Sequence, residues 1–431
     1  MKKRDDGEIS FLGKVILFVR NTFDKIKDMH LPERVVSHEK RLAGYEGEES
    51  PKEAKIAFVF GMARLISISA LCVLLVVVLI FGGSIISYDN VYYMFKDIGY
   101  ISSFSESRPS VLNYSRPFSN QDFAVFKNGL AVAGDSEIKM FTSTGRVTIS
   151  IGSEFTNPKI CTSDASALVY DQGRRTFKVY NSFISVYSET LDYPISSAHM
   201  ASDGSFCIVT KSESYGSVVR IYDSECRLES EYLRNDHIVS VNMSPNGQAV
   251  AVLSLDASGG QSVATLTVVE RGRSKPRAST VLDDVLPYTA TFLSNDRIAL
   301  ICAGSSHVFD LNCREKNKTE YNKRIADLSF TNGGFAILFR ENNIDSSFTL
   351  SVFGENGNAV SSYKIDGHVS DAVIHQNYAY LLMDGEVRRI DTLFGGVSKT
   401  EFSGEKARLM VFPGGDIMAC TDTAAYYISF N

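Results

Sequence analysis

The sequence predicts an all-β fold: a β-propeller of about eight four-stranded blades, with seven as the alternative, preceded by a single transmembrane helix and a short amphipathic N-terminal segment. Three observations lead there. From about residue 110 short runs of Val, Ile, Phe, Tyr and Thr alternate with Gly, Asn, Asp and Ser, as strands joined by tight turns do. A strand–turn–strand unit with Asn-Gly or Asp-Gly character recurs along that region. Ahead of it, Leu65 to Tyr88 carries no charged side chain.

Residues 1–64 form the first element. Phe11, Leu12, Val15, Ile16, Val19, Phe23 and Ile26 recur at helical spacing, with Lys14, Arg20, Lys25 and Lys27 around them. That pattern gives an amphipathic helix suited to the inner leaflet or to a partner. Residues 43–54 are polar, with Gly, Pro and Glu, and read as a linker. A segment of this length and composition holds no catalytic core.

Leu65 to Tyr88 follows, 24 residues long. As a helix it reaches about 36 Å, enough for a hydrocarbon core of about 30 Å. It starts too late and runs too long for a cleaved signal peptide. Residues 1–64 hold 13 Lys/Arg against 11 Asp/Glu, and the chain opens on Lys2-Lys3-Arg4. The positive-inside rule therefore puts the N-terminus in the cytoplasm and the rest outside the cell. Tyr88, Tyr92, Tyr93 and Phe95 make an aromatic anchor at the outer interface, and residues 89–108 form an extracytoplasmic linker.

Residues 109–431 are the propeller. Turns fall at 128, 164, 203, 246, 295, 332, 376 and 414, about 41 residues apart on average. A four-stranded blade has that period. The last unit, from Ala407, has room for only three strands, so its outer strand is expected from Pro109–Phe118. Such a ring closes without an open sheet edge.

Ser244-Pro245-Asn246-Gly247-Gln248-Ala249-Val250-Ala251-Val252 resembles the S-P-D/N-G-x-x-hydrophobic-A pattern of WD40-like and TolB-type propeller repeats, and Ala201-Ser202-Asp203-Gly204 is a weaker copy. The whole chain resembles the uncharacterised, single-pass membrane-anchored propeller proteins of anaerobic Gram-positive bacteria. That resemblance implies fold and topology and brings no known activity. The absence of Trp removes the WD40 Trp-Asp dipeptide, the docking motifs of quinone-dependent dehydrogenases and the sialidase Asp-box.

Chemistry is sparse. A net charge of -6 without a basic stripe excludes a general nucleic-acid binder. No C-x-x-C, H-E-x-x-H, G-x-S-x-G, Walker loop or dinucleotide fingerprint occurs, so no cofactor or metal is expected. Cys207, Cys302 and Cys420 fall at corresponding places in apolar strands and read as buried packing residues. Cys226 and Cys313 recur in Asp-Ser-Glu-Cys-Arg and Asp-Leu-Asn-Cys-Arg turns, where exposure is expected. His199, His237, His368 and His375 stand near inner-strand entries as solvated or core-edge side chains. Asp135, Asp171, Asp256, Asp384 and Asp422 all follow the second strand of their blades and define a candidate acidic face for a cation or basic peptide. Against that stands the preference of Asp for turns.

The function expected is that of a membrane-tethered scaffold binding an envelope protein or glycan, without assigned catalysis. The alternatives are a hydrolase or lyase using the channel and a transmembrane sensor acting through residues 1–64.

Overall fold

A computed structural model describes residues 67–69, 71–72, 110–114, 117–256, 262–273, 275–341, 347–404 and 407–430. The chain divides into two compact units, Met1–Gly99 and Tyr100–Asn431. In the first, residues 67–69 and 71–72 are helical, with Ile68 and Leu71 exposed. The rest of Leu65 to Tyr88, the amphipathic segment and both linkers lie outside the described residues. Among the described residues no helix is long and apolar enough to cross a membrane.

The described residues of the second unit form eight four-stranded antiparallel sheets, one per predicted blade. Strands are lettered a to d from the channel outward. The a strands of blades 1 to 8 are Gln121–Phe126, Pro158–Thr162, Ile195–Met200, His237–Met243, Pro287–Phe292, Arg324–Thr331, Val369–His375 and Arg408–Val411. Blade 8 takes strands b and c from Ile417–Cys420 and Ala424–Ile428, and its strand d is Val111–Asn113. Val111 pairs with Tyr426 and Asn113 with Ala424. The ring therefore closes by the route expected, with eight blades.

Burial explains the sequence texture. Strand b has a neighbouring blade on either face, so Gly129–Gly134 and Ala167–Asp171 are buried throughout. Strand d has one face outward, and Pro276–Asp283 alternates exposed with half-buried residues. The core is divided among the interfaces between blades. Between blades 2 and 3, Phe206 and Tyr222 stack with centroids 4.7 Å apart, and Phe177 meets both edge-on. Gly247 in the Asn-Gly turn has φ 66°, and a Cβ there would lie 2.1 Å from the Ser205 hydroxyl.

Candidate functional site

The propeller has two faces of different chemistry. The b–c turns and d–a crossovers share one face; the a–b and c–d turns share the other. Asp135, Asp384 and Asp422 lie in b–c turns of blades 1, 7 and 8, while Asp171 and Asp256 end strand b of blades 2 and 4. All five sequence-predicted residues thus stand on the crossover face, each at its own turn.

Their carboxylates do different things. Asp171 is buried and accepts the N–H groups of Thr156 and Asn157 at 3.0 and 2.7 Å. Asp135 accepts the Ser119 N–H at 3.3 Å. Both fasten the crossover that enters a blade. Asp256, Asp384 and Asp422 are exposed, and Asp384 lies 3.5 Å from Nδ1 of His368. Among the described residues no group of three or more His, Cys, Asp or Glu converges to hold a metal ion.

A second polar set escaped the sequence reading. One residue on each of four a strands, those of blades 1, 4, 6 and 7, reaches across to the backbone N–H of the next a strand. Asp122 accepts from Ile160 at 3.1 Å, Ser240 from Ala290 at 2.9 Å, Asp327 from Ala372 at 2.9 Å and Asp371 from Leu409 at 2.5 Å. Two residues further along, Asn242 accepts from Phe292 at 3.0 Å and Ser329 from Ile374 at 2.9 Å. These straps tie adjacent blades around the channel. Arg408 projects among the acidic members and pairs with Asp122 at 3.3 Å. Burial pushes the Asp327 and Asp371 carboxyls up; the neighbouring Asp327 adds to the effect on Asp371, and Arg408 opposes it. The repeat itself was the available signal: a short polar residue recurs at one register of the inner strands of blades 1, 4, 6 and 7.

His199 belongs to this second level. Its Nδ1 accepts the Met243 N–H at 3.1 Å, and burial holds the imidazole down at about 4. It is a neutral core-edge histidine, as expected. Cys207, Cys302, Cys313 and Cys420 are buried, and all the cysteines are free. Two expectations are corrected. Cys207 sits near the start of its strand b and Cys302 and Cys420 at the end of theirs, so their places do not correspond. Cys313 is buried and Cys226 half-buried, because each takes left-handed φ (54° and 62°) and folds back under its turn. Asp310 and Asp223 hold those turns by accepting two N–H groups each, from Asn312 and Arg314 and from Glu225 and Arg227.

The crossover face opens a groove at blade 5. It encloses about 770 Å³ and is lined by Asp283, Asp284, Leu286, Ser305, Glu320 and Tyr321, among others. Leu286 is exposed, and the Tyr321 hydroxyl donates to the Cys302 carbonyl at 2.7 Å. Lys318 and Glu320 neutralise each other at 2.6 Å. No ion pair among the described residues reaches Asp283 or Asp284, so the groove joins an apolar wall to uncompensated negative charge. Behind it, Ser305 Oγ lies 2.8 Å from His307 Nε2, and His307 Nδ1 lies 2.5 Å from Glu315 Oε1. Hydroxyl, imidazole and carboxylate stand in series, with the hydroxyl residue at the groove.

Residues 110–425 match the profile of a family of unknown function, DUF5711. No curated protein matches the sequence. Among solved structures, BamB from Moraxella catarrhalis superposes with a TM-score of 0.51 at 12% identity, over 75% of this chain and 99% of that one. Hsv2 from Kluyvelomyces marxianus aligns at 0.45 and 11% identity, over 64% and 97% of the two chains. The Pan2 WD40 domain from Neurospora crassa aligns at 0.45 and 10% identity, over 72% and 89%. The likeness to BamB is one of fold, a β-propeller.

Proposed function

The chain belongs to the DUF5711 family of unknown function, and on that premise we propose that it is a membrane-tethered, extracytoplasmic propeller that binds an envelope protein or glycan through its crossover face. The groove at blade 5 carries this reading: the exposed Leu286 and half-buried Tyr321 beside the carboxylates of Asp283 and Asp284 suit a partner offering a cation next to an apolar group. The tether rests on the uncharged run Leu65 to Tyr88 and the basic residues before it. In this reading residues 1–64 are cytoplasmic, 65–88 span the membrane, 89–108 link and 109–431 bind. Free thiols throughout suit a reducing or anaerobic envelope.

The test is crosslinking and affinity capture from native membranes with three proteins: the full chain, a copy lacking residues 1–60, and the Asp283→Lys/Asp284→Lys double variant. A partner kept by the truncation and lost on charge reversal supports the reading. A partner indifferent to charge reversal removes the groove from it, and loss on truncation moves the function to the cytoplasmic segment, as a sensor.

One observation favours a second reading, a hydrolase: the series Ser305, His307 and Glu315 has the order of nucleophile, base and orienting carboxylate. A fluorophosphonate probe would then label Ser305, and His307→Gln would abolish the labelling. An unlabelled wild-type chain rejects this reading and leaves the three residues as a hydrogen-bonded network within blade 5.

A further inference from the structure

The c–d turn of blade 7 presents two large apolar side chains to solvent on a rigid mount. Leu393 is 55% and Phe394 89% exposed, and Val397 beside them is 61% exposed. Asp391 Oδ1 accepts the N–H groups of Leu393 and Phe394 at 2.9 and 3.0 Å. The Asp391 carbonyl accepts the Gly395 N–H at 2.8 Å and the hydroxyl of Tyr363, from blade 6, at 3.2 Å. Thr392 N–H donates to the Asn377 carbonyl at 2.7 Å, which fixes the base of the tip to the a–b turn of its own blade. A tip held this way displays Leu393 and Phe394 with little conformational freedom left to lose on contact.

The path of the chain indicates what they meet. Strand d of blade 8 starts at Val111, opposite Tyr426, and runs toward Asn113, opposite Ala424, the residue that follows the b–c turn. Its beginning is therefore on the face of the a–b and c–d turns, where the Ser110 carbonyl accepts the Tyr427 N–H at 3.0 Å. Ser110, the residue ahead of this strand, therefore stands on that face. Blade 7 adjoins this blade: Thr400 Oγ1 donates to the Ser429 carbonyl at 2.6 Å, and Phe402 meets Tyr426 with centroids 5.7 Å apart. The apolar tip and Ser110, at the head of the closing strand, thus share one face on neighbouring blades. The crossover face carries Asp256, Asp283, Asp284, Asp384 and Asp422, which an anionic lipid surface repels, while turns on the other face mix Arg273, Lys275 and Arg314 with Asp203, Glu225, Asp296 and Glu355.

We propose that the a–b and c–d face rests on the bilayer, with Leu393 and Phe394 seated at the headgroup–acyl boundary and the crossover face turned away. This rests on the tethered reading above. It makes the tip a second membrane contact beside the span, and it holds the blade 5 groove open to partners. Apolar side chains of interfacial segments settle about 5–10 Å into that boundary.

The chain has no Trp, so Phe394→Trp introduces a unique fluorophore. The full-length variant is reconstituted into phosphatidylcholine–phosphatidylglycerol vesicles, with and without bromine on the acyl chains near the headgroup. Tyr288→Trp, on the crossover face, is the control, and flotation of the same samples reports the tether. The expected result is a blue-shifted Phe394→Trp emission that loses intensity over brominated lipid, with Tyr288→Trp unchanged. A chain that floats while Phe394→Trp stays unquenched overturns the inference and leaves the tether standing. Equal quenching of both variants also overturns it, and a chain that does not float overturns both readings.

Discussion

A methyl group on Gly134 would lie 2.2 Å from a ring carbon of Phe118. Phe118 belongs to the segment between the closing strand Val111–Asn113 and blade 1, and it packs with Leu112, Tyr114, Val132 and Met418. This segment therefore fills the seam between the last blade and the first as well as completing a sheet. Gly134→Ala is expected to overpack the seam at a cost of about 1–3 kcal/mol. Leu112→Ala, in a fully packed position, is expected to cost about 2–5 kcal/mol. Denaturant midpoints measure both; an unchanged midpoint would show that the seam tolerates the added methyl in the first variant or the cavity in the second.

The acidic turns divide by role. Asp171→Ala removes the buried carboxylate that accepts the N–H groups of Thr156 and Asn157, a loss of about 1–3 kcal/mol. Asp422→Ala removes an exposed carboxylate and is expected to stay within about 0.5 kcal/mol. Thermal denaturation of the two variants side by side checks the contrast.

His199 sets an acid limit. Burial keeps its imidazole neutral down to about 4 in the folded chain, against about 6.5 when unfolded. Between those values the unfolded state binds the extra proton, so stability falls as pH drops, by up to roughly 3 kcal/mol. His199→Asn is expected to flatten that slope. The half-buried Asp327 and Asp371 act in the opposite sense: their raised folded values favour the folded state at low pH, a contribution lost as pH rises through them. Urea titrations from pH 7 to 4 on wild type, His199→Asn and Asp371→Asn separate the two.

The propeller thiols are expected to be slow. Burial pushes Cys161 and Cys302 up to about 12 and Cys226 and Cys313 up to about 11, which leaves little thiolate at pH 8. Ellman's reagent should react slowly with these four in the folded protein and rapidly after unfolding in guanidinium. Fast modification of any of them in the native state would show that its blade opens.

Much of the architecture was legible in the residues. The Asn-Gly and Asp-Gly turns marked the blade period because each of these a–b turns needs a left-handed residue, taken by Gly204, Gly247 and Gly333, and few residues adopt that backbone. The short final unit after Ala407 pointed to a borrowed strand because an unpaired edge is costly. The five Asp landed on one face because a four-stranded meander alternates its turns between two ends. What their carboxylates bind was not legible: Asp171 ends a strand b and Asp384 opens the turn after one, yet the first is buried against a crossover and the second faces solvent.

The sequence alone determined the repeat, the strand that closes the ring and the face on which the acidic turns lie, and narrowed the blades to eight or seven, since each depends on local periodicity and chain order. The tertiary structure decided the rest. Strapping Asp371 to Leu409, placing Ser305 in line with His307 and Glu315, burying Cys313 and leaving Phe394 exposed all depend on contacts between separate strands, turns and blades. Such contacts are fixed by how neighbouring sheets twist and pack, and a single strand's pattern carries no record of what lies across the interface.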